Sequence, residues 1–428
     1  MSDSIAVLLG LLVVAYLGSM LVGGRTIRGF GLPSGAEYLV LGVVAGPHVL
    51  GILPRSTIHG FEPIFVCAAA WLALVVGLGY LLVGTRRVRV GRALAGIASA
   101  TLVAAAVAGA LFVLLSHYAL LPGYPRVELA LGAGFVGCET TRHTVRWVAE
   151  RHGAYGRLSD WLADMARASA IVPVLGLGYL FALAPDAPLA AFVVPARFGL
   201  GLGLGVLLGL VAAVLLGREF RRDESWGILL GTSVLAAGVA ARVGLAPVAT
   251  LFMMGLTLSV VSRHRLEIKA MVGQTEKPVL LPVVMVAGAC VDFSPIPHIG
   301  AVIAVALGAR VAAELVRGRL LSWFLAPARP AGSSLGLGML STGAVSLALA
   351  FTLAVRSPGP ASNVVLLLAA AGVLFGEVIG PAMLRRALER AGEIHELEAS
   401  EPATLSLLPE ELARRSDPGR DSLPEAKS

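Results

Sequence analysis

Leu129-Ala-Leu-Gly-Ala-Gly-Phe-Val-Gly-Cys-Glu-Thr-Thr-Arg-His-Thr-Val-Arg-Trp147 is the stretch whose reading decides the fold. It begins as an apolar helix, and Val145, Trp147 and Val148 restore the apolar pattern beyond its middle. Between the two halves sit Gly137, Cys138, Glu139, Thr140, Thr141, Arg142 and His143, a small-residue break followed by hydroxyls and ionisable groups. Backbone released from helical pairing inside a bilayer survives only where it is buried in protein or lines a wet cavity. Secondary transporters build substrate sites from such interrupted helices, with half-helix ends aimed at the ligand. The competing reading is a loop-to-helix junction that leaves Glu139 near the surface. The flanking apolar runs are long enough to hold the break at depth.

Outward from that stretch, the 428 residues are 57% hydrophobic and only 14% charged, where soluble domains carry about a quarter charged residues. The composition implies an all-α integral membrane protein in contact with the lipid bilayer. Apolar runs of bilayer length fall near 4–22, 36–53, 61–83, 93–115, 127–149, 158–184, 188–216, 225–241, 246–262, 279–293, 297–316, 333–355 and 362–384. About thirteen spans are therefore expected. No basic region precedes the first run, so 4–22 reads as a retained span and not a signal peptide.

The net charge of +7 does not imply nucleic acid, because the arginines sit in short loops between apolar runs. Alternate loops hold nineteen Lys and Arg, among them Arg92, Lys269 and Arg317, and the intervening loops hold Arg55, Arg126, Arg242 and Arg356. That alternation predicts an N-terminus outside and a C-terminus in the cytoplasm, in the cell (inner) membrane. Cys67, Cys138 and Cys290 have no metal-ligand spacing and read as packing residues. Residues 1–386 are expected to form the transmembrane domain. Residues 387–428 are polar and Pro-containing, and read as a disordered cytoplasmic tail.

A second interruption lies at Gly336-Leu-Gly-Met-Leu-Ser-Thr-Gly-Ala-Val-Ser346, with Ser341, Thr342 and Gly343 at its middle. In a thirteen-span chain these are the fifth and twelfth spans, and the loop charges run them in opposite directions. An inverted repeat would let the two broken helices cross, with four half-helix ends meeting. Opposed N-termini add positive potential and opposed C-termini negative, so neutralising charges are needed nearby.

With this arrangement on the page, the chain resembles the cation/proton antiporter superfamily of sodium/proton exchangers and potassium-efflux antiporters. Leu41-Gly-Val-Val-Ala-Gly-Pro-His-Val-Leu-Gly51 is similar to the family's second span. Ala240-Ala-Arg-Val-Gly-Leu-Ala-Pro-Val-Ala-Thr-Leu-Phe-Met-Met-Gly-Leu256 and Pro282-Val-Val-Met-Val-Ala-Gly-Ala-Cys-Val-Asp292 look like later ones. Ala306-Leu-Gly-Ala-Arg310 resembles the eleventh, where the family keeps a Lys or Arg. The resemblance implies a secondary transporter exchanging Na+ or K+ for protons, without a cofactor or structural metal, as a homodimer. Two alternatives keep the fold: a carrier of an anion or organic solute, and a non-transporting sensor or partner. An enzyme is not indicated, since neither a metal-ligand cluster, a phosphate loop with Lys nor a nucleophile elbow is present.

The departures from the family locate the chemistry. Its fifth span usually carries a proline where this chain has Glu139-Thr140-Thr141, and its sixth carries one or two acids where this chain has Ala168, Ser169 and Ala170. A hydroxyl can ligate sodium but does not take up a proton. A charge inside a span costs roughly 2.5–3.5 kcal/mol on insertion scales, so such groups turn inward and pair. The proton- and cation-binding candidates are Glu139, Thr140, Thr141, Asp164 and Ser169, with Arg142, Arg310 and Glu314 as compensating charges. Arg310 and Glu314, four apart, either pair with each other or serve the site. Asp164 lies about 140° round the helix from Ser169 and does not simply replace the missing acid. Glu139, in the break, is the leading carrier. Asp292 is expected to cap a loop, and Arg197 to reach outward to the headgroups.

Overall fold

A computed structural model describes residues 35–394, apart from 54–57, 59, 81, 84–85, 88, 119–124, 184–192, 218–221, 293–297 and 357–358, together with positions 6, 10 and 13. The expected first span, 4–22, lies outside the described residues but for those three positions, as does the tail beyond 394.

Helices α1 (Ala36–Ala45), α2 (Glu62–Tyr80) and α3 (Val90–His117) open the described chain, with a two-residue strand pair, β1 (Leu82–Val83) and β2 (Arg86–Arg87), between the last two. α4 (Arg126–Gly137) and α5 (Arg142–Arg151) follow, then α6 (Arg157–Ser169), α7 (Ile171–Ala182), α8 (Val194–Leu215) and α9 (Arg222–Val243). After α10 (Pro247–Val261), the short α11 (Arg265–Gly273) leads into α12 (Glu276–Ala289) and the long α13 (Ile299–Phe324). A 3-10 turn at Ala326–Ala328 precedes α14 (Ser334–Gly338), α15 (Ala344–Arg356) and α16 (Pro360–Arg390). Seven of the described helical stretches, counting α6 and α7 as one, are long and apolar enough to cross a bilayer.

The break between α6 and α7 has a local cause. Pro173 has no N–H to give the carbonyl of Ser169, so the helix loses a rung there. Elsewhere the helices meet through small residues. α2 packs on α10, where a Cβ on Gly77 would overlap the Phe252 carbonyl and one on Gly255 the Leu74 carbonyl. This reciprocal close approach is the small-residue packing that membrane helices use in place of a hydrophobic drive. Gly255→Val should therefore separate α2 from α10 and destabilise by about 1–3 kcal/mol, read as a lower melting temperature in detergent. In Gly199-Leu-Gly-Leu-Gly-Leu-Gly205, Gly205 faces Thr250 of α10 while Gly199 and Gly203 meet nothing within 4 Å. The run serves packing on one side and faces open space on the other.

One continuous core joins α1, α2, α3, α4, α7, α12, α15 and α16. A second links α2 to α8, α9, α10 and α11. A third gathers α5, α6, the ends of α13 and α16, and α14.

Three sequence expectations change here. Arg197 does not reach outward: it is 3% exposed, and its Nη2 donates to the Gly244 carbonyl at 3.4 Å, at the end of α9. Arg92 and Arg317, counted as loop charges, lie inside α3 and α13, because those helices extend beyond the apolar runs. α16 likewise continues past 387 to Arg390, and the chain then turns at Gly392 (φ +70°). Glu393 comes back to the start of α6, where it accepts from the amides of Leu158 (2.6 Å) and Ser159 (2.8 Å) and from the Ser159 hydroxyl (2.7 Å). Gly156, the N-cap position of α6, has no side chain to do this, and a Cβ there would overlap the Glu393 carboxylate. Glu393→Ala should cost about 0.5–2 kcal/mol, the usual worth of an N-cap, and protease accessibility at the α16 C-terminus should rise with it.

Candidate functional site

Two helix interruptions meet in this protein. Cys138–Thr141 is non-helical between α4 and α5, and Met339–Gly343 between α14 and α15. The amide of Thr141 donates to the Ser341 carbonyl at 2.9 Å, and the Thr140 hydroxyl to the Met339 carbonyl at 3.2 Å. Backbone groups freed by one break are thus partly satisfied by the other, as burial requires. The Ser341 hydroxyl donates to the Gly376 carbonyl of α16 at 3.2 Å.

Each of the four half-helix ends is met by a side chain, and the two negative ends share one. At the start of α5, Thr141 caps in the ordinary way, its hydroxyl accepting from the His143 amide at 3.3 Å. At the start of α15 the preceding residue is Gly343, and the cap comes from elsewhere in the chain. One Glu139 carboxylate oxygen accepts from the Ser346 amide at 2.9 Å and from the Ser346 hydroxyl. A Cβ on Gly343 would overlap this carboxylate, so the glycine makes its seat. The negative charge rests at the positive end of α15.

The opposite ends receive a cation. Arg310 of α13 donates from Nη2 to the carbonyls of Leu340 (2.6 Å) and Glu139 (3.4 Å), and from Nη1 to the Thr342 hydroxyl. Leu340 follows α14 and Glu139 follows α4, so one guanidinium serves the negative ends of both half-helices. Room for it is left by Gly372, where a Cβ would stand 3.3 Å from Nη1.

The i, i+4 pair open to Arg310 and Glu314 does not form in place of these contacts. Glu314 Oε2 instead lies 2.8 Å from Nη2 of Arg317, and the same Nη2 donates to the Thr140 hydroxyl at 2.8 Å. Glu139, Glu314, Arg310 and Arg317 are all buried, 0–4% exposed, and their charges balance.

Other candidates from the sequence have different partners. Asp164, fully buried, pairs with Arg92 at 3.0 Å, and that guanidinium also lies 5.0 Å from the Trp161 ring. The Ser169 hydroxyl bonds back to Ala166 of its own helix at 2.9 Å. Arg142 does not compensate Glu139 by contact: it pairs with Glu276 at the start of α12, and His143 Nε2 lies 3.2 Å from the same oxygen. Asp292 pairs with His48 at 3.2 Å. Among the described residues there is no group of three or more potential metal ligands.

Three participants escaped the sequence reading. Ser346 carried a signal, since it stands three residues after Gly343, where an N-terminal amide needs an acceptor. Glu276 was masked by the basic loop around it. Arg317 was masked by a helix end set too early.

Comparison with solved structures bears on this geometry. The chain superposes on the sodium proton antiporter MjNhaP1 from Methanocaldococcus jannaschii, solved at pH 8, with a TM-score of 0.63. Identity is 15%, over 91% of this chain and 99% of that one. The fold is that of a sodium proton antiporter. An electron-microscopy map of the same protein matches with a TM-score of 0.62 and 15% identity, over 89% of this chain and 97% of that one. Those structures are of transporters and not enzymes, and with its apolar helices the antiporter-like chain is a multi-pass membrane protein. No family model matches the sequence. No curated protein matches it either.

Proposed function

We propose that this chain is a secondary active transporter exchanging a monovalent cation, Na+ or K+, for protons, with Glu139 carrying both in turn. The observation behind the proposal is the seat of Glu139: its carboxylate is held by the Ser346 amide and hydroxyl, and no guanidinium is in contact with it among the described residues. A carboxylate locked to arginine cannot alternate between proton and cation. One held by neutral donors at a helix end can, because losing its charge sacrifices no ion pair. Thr140, Thr342 and Ser341 are engaged with Arg317, Arg310 and Gly376, so they shape the site around the carboxylate.

The wider reading has thirteen spans in inverted repeats, the fifth and twelfth crossing at the two breaks. The N-terminus lies outside and the C-terminus in the cytoplasm of the cell membrane, and the unit is a homodimer. Proteoliposomes loaded with a pH dye test the proposal: a Na+ or K+ gradient should drive a proton flux between pH 6 and 9. The second reading, a protein of this fold that no longer exchanges, is favoured by the closed pairs Asp164–Arg92 and Glu314–Arg317. Absence of any cation response across that range would leave this second reading standing and end the first.

A further inference from the structure

On the α5 side of the junction, exposure changes within a few residues. Glu139, Thr140 and Thr141 are 1–4% exposed, and the next two residues, Arg142 and His143, meet solvent. Both reach the same atom. Nη2 of Arg142 donates to Oε1 of Glu276, and Nε2 of His143 lies 3.2 Å from that oxygen. The three side chains are 15–23% exposed, so the cluster stands at the boundary between solvent and the buried residues of the break.

Glu276 comes from another part of the molecule. Val145 and Val148 of α5 pack into the third core, and Leu280 and Val284 of α12 into the first. The two helices have no apolar cluster in common among the described residues, and this polar contact spans them. A second polar contact crosses nearby. Nη1 of Arg167, in the last turn of α6, donates to the carbonyl of Gly79, near the end of α2, at 3.5 Å. A Cβ on Gly79 would stand 3.6 Å from Nη1 of Arg142 too, so Arg142 lies against α2 as well as α12. Packed apolar faces part only at the cost of a cavity. A part-exposed polar bridge parts at little cost, because water replaces its hydrogen bonds.

We propose that Arg142, His143 and Glu276 form a gate: closed, it seals the α5 side of the junction against water and ions, and open, it uncovers Glu139. The gate rests on the exchange reading for what passes, a cation bound for that carboxylate, while its opening is measured without flux. Cys138 is a native reporter, a buried residue beside Glu139 whose thiol donates to the Phe135 carbonyl at 3.2 Å.

The purified full-length protein, in detergent, is treated with a small cationic methanethiosulfonate, and modification of each cysteine is followed by peptide mass. Glu276→Gln keeps the size of the side chain and gives up the charge that holds Arg142. It should raise the labelling rate at Cys138 about tenfold, the shift that follows when the closed state loses about 1.4 kcal/mol. Cys67 of α2 and Cys290, at the end of α12, should keep their wild-type rates. Unchanged labelling of Cys138 overturns the gate. So does a rise shared by all three cysteines, which would make the cluster an ordinary structural tie. Should Glu276→Gln fail to fold, His143→Leu removes only the second of the two donors and is judged by the same two criteria. Selective opening at Cys138, with no cation-driven flux in the wild type, would end the exchange reading and leave the gate standing.

Discussion

Arg310→Met should be the most damaging single substitution in the chain, costing about 3–5 kcal/mol, the range for removing one partner from a buried charged network. The argument is one of acceptors. The Leu340 and Glu139 carbonyls and the Thr342 hydroxyl all take hydrogen bonds from this guanidinium, and it is 2% exposed. Methionine fills much the same volume and donates nothing, so buried acceptors are left without a donor. Two half-helix C-termini would then face each other with their partial negative charges uncompensated. Arg310→Lys should fall in between, since a single ammonium restores the charge but cannot spread donors over the same three acceptors. The measurement is thermal unfolding in detergent, followed by size-exclusion of the soluble fraction. Equal melting of wild type and Arg310→Met would mean that the guanidinium is not what holds the breaks together.

How much of this was legible in the sequence follows from range. The break at Cys138–Thr141 could be read because small residues and hydroxyls interrupt apolar runs that resume on both sides, and the second break reads the same way. The need for neutralising charge at their meeting also follows from helix dipoles alone. Partner identity does not. Arg310 and Glu314 share a helix face, yet Arg310 finds better acceptors across the junction and Glu314 turns to Arg317, three residues on. Asp164 meets Arg92 across 72 residues of sequence, and Arg142 meets Glu276 across 134. Such pairs are set by which helices touch, and local spacing carries no trace of it. Around Ser169 the local feature was legible: Pro173 leaves the Ser169 carbonyl without its helical donor, and the hydroxyl donates back to Ala166.

A recurrence within the fold sharpens the question of what Glu139 does. Gly156-Arg-Leu-Ser159 opens α6 and Gly343-Ala-Val-Ser346 opens α15, and in each a distant glutamate occupies the place that the glycine leaves free. Glu393 caps the first and Glu139 the second, both bonding the amide and hydroxyl of the serine. Capping alone would make the two glutamates equivalent. They differ in setting, since Glu393 lies beyond the last described helix while Glu139 sits between two half-helix breaks beside Arg310.

Replacing each by glutamine separates the roles. The amide oxygen of Gln still accepts from the serine, so Glu139→Gln and Glu393→Gln should both fold. Losses should be about 0.5–2 kcal/mol, the larger for Glu393→Gln, whose NH2 would face the Leu158 amide. Their transport should diverge. Glu393→Gln should keep cation-driven proton flux near the wild-type rate. Glu139→Gln should fall to the level of empty liposomes at every pH from 6 to 9, because an amide neither takes up a proton in that range nor offers a cation a full charge. If both variants carry flux alike, the carboxylate at the junction is a helix cap and nothing more, and any coupling of cation to proton resides elsewhere.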